Sequence, residues 1–153
     1  MSTALEAELL VHLDAQISSA RRLLGSVLAQ GKAIRARDVD AVIARLTDIQ
    51  TEMGRRGTLE QDRAGLLQRA AAALRVPIAA VTLEHLCTLV GPAAAQAARD
   101  RSAELRGLLA EIAREHGINR ALMRQELTFL DHLIRLSGEA PEGAAARLMD
   151  VEA

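Results

Sequence analysis

Apolar residues recur three and four positions apart over most of the chain, the spacing of one face of an α-helix. The first such tract runs from Thr3 to Arg35, with Leu10, Leu13, Ile17, Ala20, Leu24, Val27, Gly31 and Ile34 in one seam. Leu5, Leu9, Leu23 and Leu28 widen that seam beyond a bare two-helix contact, which suits packing against more than one neighbour. A turn is expected at Ala36-Arg37-Asp38, where Asp38 can cap the next helix by accepting from its free N–H groups. The second tract carries Val39, Val42, Leu46, Ile49 and Met53 and runs to Leu74, before Pro77 ends it. Gly54, Gly57 and Gly65 weaken its middle, and Thr58 with Gln61 could form a capping box. One long helix and two helices broken near Gly57 are therefore both open, the first being favoured.

A connector, Ile78 to Gly91, holds a short helix from Leu83 to Leu89 with Thr82 as its cap. Gly91-Pro92 reads as a helix stop followed by a helix start. The third long tract then extends to Leu136, with a broad stripe through Leu105, Leu108, Leu109, Ile112, Leu122, Met123, Leu127, Leu130, Leu133 and Ile134. Ser137-Gly138 and Pro141 stop it. The expected fold is all-α: an elongated antiparallel bundle of three long helices with a short connecting helix and coiled-coil-like packing. Residues 1–138 form the bundle domain. Residues 139–153, polar and small apart from Leu148, Met149 and Val151, are expected to be a mobile tail.

Composition agrees. Thirty Ala and 24 Leu, the best helix formers, stand beside a single Phe and no Tyr or Trp in 153 residues, which argues against an all-β fold. Nineteen basic and 20 acidic side chains nearly cancel, so the counterion release that drives nucleic-acid binding has no basic excess behind it. No apolar run approaches the roughly 20 residues that span a bilayer, and no membrane insertion is expected. The first ten residues hold Glu6 and Glu8 and no basic residue, so they do not read as a secretory signal.

The chain offers little for catalysis. None of His12, His85, His116 or His132 has a carboxylate three residues before it, as a di-iron bundle motif would need. Glu8 and His12 could share a helix face, but two ligands make a poor metal site. His85 and Cys87, two apart, would diverge on a helix, which leaves Cys87 as a small buried thiol. Arg21-Arg22 and Arg55-Arg56 read as solvated helix faces, or as contacts for an acidic partner. No metal, cofactor or enzymatic activity is expected. The leucine-rich third tract instead suggests a binding surface for an amphipathic helix, either of a partner or of a second copy in a homodimer.

The order of tracts resembles the FlgN-type flagellar export chaperones from Leu5 to Ser137. The resemblance rests on the first Leu-rich helix, the Asp38-centred turn, LTDIQTEMGRRGTLEQDRAGLL from Leu46 to Leu67, and EHGINRALMRQELTFLDHLIRLSG from Glu115 to Gly138. It implies a cytoplasmic, non-enzymatic chaperone of the flagellar type III export system. Such proteins bind the C-terminal helices of hook–filament junction (hook-associated) proteins before export and prevent their premature assembly. They also help deliver this cargo to the export gate. The family's Asn followed by a Leu-rich amphipathic helix falls here on Asn119, Leu122, Met123, Leu127, Leu130, Leu133 and Ile134, which the resemblance marks as partner-binding. A gate contact anchored by Tyr or Trp cannot be carried over, because the chain has neither.

Overall fold

A computed structural model describes residues 2–138, so the tail expected at residues 139–153 lies outside the described residues. Three long helices, α1 (Ser2–Arg35), α2 (Val39–Leu74) and α4 (Pro92–Ser137), are joined by tight corners and the short α3 (Leu83–Thr88). A single 3₁₀ turn, Ile78–Ala80, precedes α3. No strand occurs among the described residues.

Each corner has a local cause. After α1, the N–H of Asp38 donates to the Ala33 carbonyl and that of Arg37 to the Ile34 carbonyl, both at 3.0 Å. This is a Schellman closure with Arg37, rather than the usual glycine, in the left-handed conformation at φ 56°. Asp38 then caps α2, its carboxylate accepting from the Ala41 N–H at 3.1 Å. Arg75 ends α2 at φ 55° in the same way, and Pro77 forbids continuation. Thr82 caps α3 through a reciprocal box in which the His85 ring nitrogen Nδ1 accepts from the Thr82 N–H. Pro92 opens α4, where its missing N–H costs nothing.

The long helices run up, down and up. Glu6 meets Gly91, Asp14 meets Arg101, Arg21 meets Glu104 and Arg37 meets Glu126, so α1 and α4 are parallel. Glu8 meets Arg69 and Arg22 meets Glu52, so α2 is antiparallel to α1. Helix α1 lies between the other two, which hardly touch each other. This is why α1 needed two buried faces. Leu9, Leu13, Gln16, Ile17, Leu23, Val27, Gln30 and Ile34 together form its wide buried stripe.

The apolar core sits at one end of the rod. Leu9 and Leu13 of α1, Leu66 and Ala70 of α2, Leu86 of α3 and Ala98 of α4 form one cluster there. Toward the other end buried polar side chains, Ser19, Gln30, Glu52 and Asn119, stand among the buried Leu23, Val27, Ala33 and Ile34.

The seam expected on α2 is corrected by this arrangement. Val39 and Met53 are more than half exposed, and the residue turned into α1 is Glu52, at 3 % exposure. A helix can bury a carboxylate in place of its neighbouring methionine when an arginine on the facing helix meets it. The capping box at Thr58 does not form, and α2 is continuous through Gly57. Leu28, assigned to the wide stripe of α1, is 41 % exposed.

Candidate functional site

Helix α4 has 46 residues and α1 has 34, and they start nearly level, with Glu6 beside Gly91. At about 1.5 Å per residue α4 is longer by about 18 Å. Its C-terminal turns therefore pass the end of α1 and have no helix to lie against among the described residues. Exposed there are Phe129 (47 %), Leu130, Leu133 and Leu136 (72 %).

Ile118, Leu122, Phe129, Leu133 and Leu136 fall on one flank of α4, separated by three, four or seven residues, so the apolar flank continues down alongside the α1 contact. Ile118 is 38 % exposed and Leu122 half-buried. The only aromatic ring of the chain thus stands at the surface, where burial would favour it most. An open shelf of about 460 Å³ borders it, lined by Arg124, Gln125, Thr128, Phe129 and His132.

Arg37 covers part of this flank from the α1–α2 corner. Its guanidinium lies 5.3 Å from the centre of the Phe129 ring, and its Nε forms an ion pair with Glu126 Oε2 at 3.2 Å. A non-glycine residue in the left-handed region costs about 1 kcal/mol or more. The stacking and the ion pair offset that cost and tie the corner to α4.

The residues marked by resemblance separate into three groups. Leu122, Met123, Leu127 and Ile134 are half-buried, and Leu130 and Leu133 are exposed. Asn119 faces inward instead. It is 4 % exposed, and its side-chain amide donates to the Val27 carbonyl at 2.8 Å. Its neighbour across the contact is Gly31, where a Cβ would stand 2.6 Å from Asn119 Oδ1. Asn119 thus fixes the α1–α4 register; Leu130, eleven residues on, lies on nearly the same face of α4 but beyond the end of α1, and so is exposed. Phe129, Leu136 and Arg37 were not singled out in the sequence. The seven-residue spacing of Leu122, Phe129 and Leu136 could have revealed the first two; Arg37 left no signal, because its role depends on the corner.

The other chemistry-bearing groups are engaged within the chain. Arg22 donates to both oxygens of Glu52, at 3.1 and 3.0 Å, and Arg55 adds a third bond at 3.0 Å. These partners, Arg22 first, hold the Glu52 carboxyl below its usual range against the opposing effect of burial. The fully buried Ser19 hydroxyl also favours the charged form, although it lies outside normal hydrogen-bond geometry. Burial pushes the Cys87 thiol up, and its Sγ lies 3.7 Å from the Ala95 carbonyl, while His85 is used by the Thr82 cap. His12 is shifted down, by burial first, beside an open cleft of about 410 Å³ between α1 and α2. Among the described residues, no group of three or more His, Cys, Asp or Glu could hold a metal ion, and no helix is long and apolar enough to cross a membrane.

Comparison with protein families matches residues 1–146 to a family model described as "FlgN protein". The match extends beyond both ends of the stretch on which the sequence resemblance rests. No curated protein and no solved structure matches the chain.

Proposed function

Because the chain belongs to the FlgN family of flagellar export chaperones, we propose that its cargo is a hook–filament junction protein, held in the cytoplasm before export. The C-terminal helix of that cargo lies along the outer flank of α4. One observation carries this assignment: α4 outruns α1 and leaves Phe129, Leu130, Leu133 and Leu136 exposed, with no helix packed on them among the described residues. An unpolymerised subunit with an unpaired amphipathic helix needs such a surface, and helix-in-groove binding requires no nucleotide. The site is thus Leu122, Leu130 and Leu133 of the residues marked by resemblance, joined by Phe129 and Leu136. Met123, Leu127 and Ile134 support it from the half-buried side. Asn119 acts from beneath, by fixing how far α4 projects. Any delivery to the export gate proceeds without a Tyr or Trp anchor, since the chain has neither.

The test is light scattering on a sizing column, with the chain alone and with a peptide from the C-terminus of a hook–filament junction protein of the same organism. A one-to-one complex at micromolar concentration, lost in Leu133→Asp and retained in Val11→Asp, is the expected result. A tight oligomer that ignores the peptide would overturn the proposal and leave a self-associating coiled coil.

A further inference from the structure

Helices α2 and α4 flank α1 while hardly touching each other, which leaves a groove along one side of the molecule. On α1 the contacts to α2 come from Glu8 and Arg22, and those to α4 from Asp14 and Gly31. Leu23, Val27, Gln30 and Ile34, four, three and four residues apart, lie between those two sides and form the floor. Glu52 marks the face of α2 turned to α1, and Val42, Leu46, Ile49 and Met53 lie about a quarter turn round from it. Asn119 marks the corresponding face of α4, and Leu109, Met123 and Leu127 lie to one side of it. Because α2 runs antiparallel and α4 parallel to α1, the right-handed coil turns both stripes to the same side. The open cleft at Val11 and Asp62 is on the opposite side. The apolar seam that periodicity assigned to α2 is therefore one bank of this groove. Met53 is 54 % exposed and Leu109 37 %, and the other bank residues are half-buried.

The charge along both banks has one sign. From Leu105 to Leu127 the carboxylates of α4 are Glu111, Glu115 and Glu126, all on the other side of the Asn119 line. His116 and Arg120 stand among the groove residues instead, seven before Met123 and Leu127. On α2, Glu52 is turned into α1 and is used by Arg22 and Arg55, while Asp40 and Asp48 fall on the face away from the groove. Arg45 and Arg56, seven before and four after Glu52, border the apolar stripe. Arg45 Nε and Arg56 Nη1 are buried and have no hydrogen-bond acceptor among the described residues. Arg45 Nε lies 3.0 Å from Asp48 Oδ2, but out of line with it. A buried N–H without an acceptor carries a cost that an incoming carboxylate would remove. The two arginines are eleven residues apart, about 16 Å, or three turns of a helix laid along the groove.

We propose that this groove is a second docking surface, and that its occupant is an amphipathic helix of a partner protein, apolar on one face and edged with carboxylates. Such a helix completes a four-helix bundle over α1. Its apolar face covers Met53 and Leu109, and its carboxylates meet Arg45, Arg56 and Arg120. The groove is separate from the outer flank of α4 assigned to cargo, and neither assignment depends on the other.

Two peptides of about three heptads test it, both with leucine at the a and d positions, one with glutamate and one with lysine at e and g. Like charges keep each from pairing with itself. Titration calorimetry on the full chain should show one-to-one binding of the glutamate peptide, weakened by added salt, and binding of the lysine peptide at least about ten-fold weaker. Met53→Glu sets a carboxylate on the exposed part of the groove and should weaken the glutamate peptide about ten-fold, with the circular dichroism of the chain unchanged. Arg56→Met removes the buried donor and should weaken it by a factor of roughly 2–5. Leu133→Asp, on the outer flank, should leave it unchanged.

No binding of the glutamate peptide to the parent chain would overturn the proposal, as would equal binding of the two peptides. Loss in Leu133→Asp with retention in Met53→Glu would also overturn it, by placing the acidic helix on the outer flank. So would a dimer mass in light scattering that Met53→Glu converts to a monomer, since the occupant would then be a second copy. A junction-protein peptide lost in Met53→Glu and kept in Leu133→Asp would make cargo the partner of the groove. The groove would then stand and the outer-flank assignment would fall.

Discussion

Asn119 lies directly over the bare backbone of Gly31: its side-chain amide reaches the Val27 carbonyl at 2.8 Å, one turn before the glycine, and its Oδ1 occupies the space a Cβ would need. The two residues form one contact from opposite helices, and it sets the axial position of α4 on α1. How far Phe129 to Leu136 project past the end of α1 follows from that position.

Gly31→Ala should therefore destabilise the chain although alanine is the better helix former. Overpacking of this kind costs about 1–3 kcal/mol, against a propensity gain of about 1 kcal/mol. In an Asn119→Ala background the same substitution should become neutral or stabilising. A double-mutant cycle by urea denaturation measures the coupling, expected at about 1 kcal/mol or more. Additive effects would show that the contact does not constrain the register.

Glu52→Gln should cost about 1–3 kcal/mol at neutral pH, since Arg22 and Arg55 lose a charged acceptor in a site shielded from water. The carboxyl titrates below its ordinary 4.5 in the folded chain, so its contribution is fully present above that pH and is lost as pH falls through the folded value. The stability gap between parent and variant should thus close as pH falls below 4.5, whereas it should be constant from pH 6 to 8. Denaturation midpoints at several pH values would check it.

Arg37→Gly relieves the left-handed backbone at φ 56° and uncovers Phe129. The two effects oppose each other, and the net change in stability should be within about 1 kcal/mol. Glu126 would lose its partner, and the Phe129 flank should bind more of an apolar dye such as ANS. Unchanged dye binding would mean that Arg37 does not shield the ring.

Leu66→Ala and Leu133→Asp should separate core from surface. Leu66 is 4 % exposed in the apolar cluster, and its truncation should cost about 2–5 kcal/mol. Leu133 is 46 % exposed, and even a charge there should leave the thermal midpoint within a few degrees of the parent while removing cargo binding. A large drop in midpoint for Leu133→Asp would place that side chain in the core.

What the sequence determined by itself was local. The boundaries of α1, α2 and α4, the Asp38 and Thr82 caps and the proline stops were all legible, because each depends on backbone hydrogen bonds within one turn of the residue concerned. That Cys87 and His85 form no pair followed from their two-residue spacing on a helix. The tertiary structure decided which of several apolar stripes each helix would bury. It turned Glu52 inward and Met53 outward, because Arg22 on the facing helix could satisfy the carboxylate. It set Asn119 against α1, where Gly31 leaves room for its side chain. It also left Phe129 and Leu136 uncovered. A leucine stripe waiting for a partner and one buried in the bundle have the same periodicity; they differ only in how far the neighbouring helix extends, and here α1 stops at Arg35 while α4 continues to Ser137.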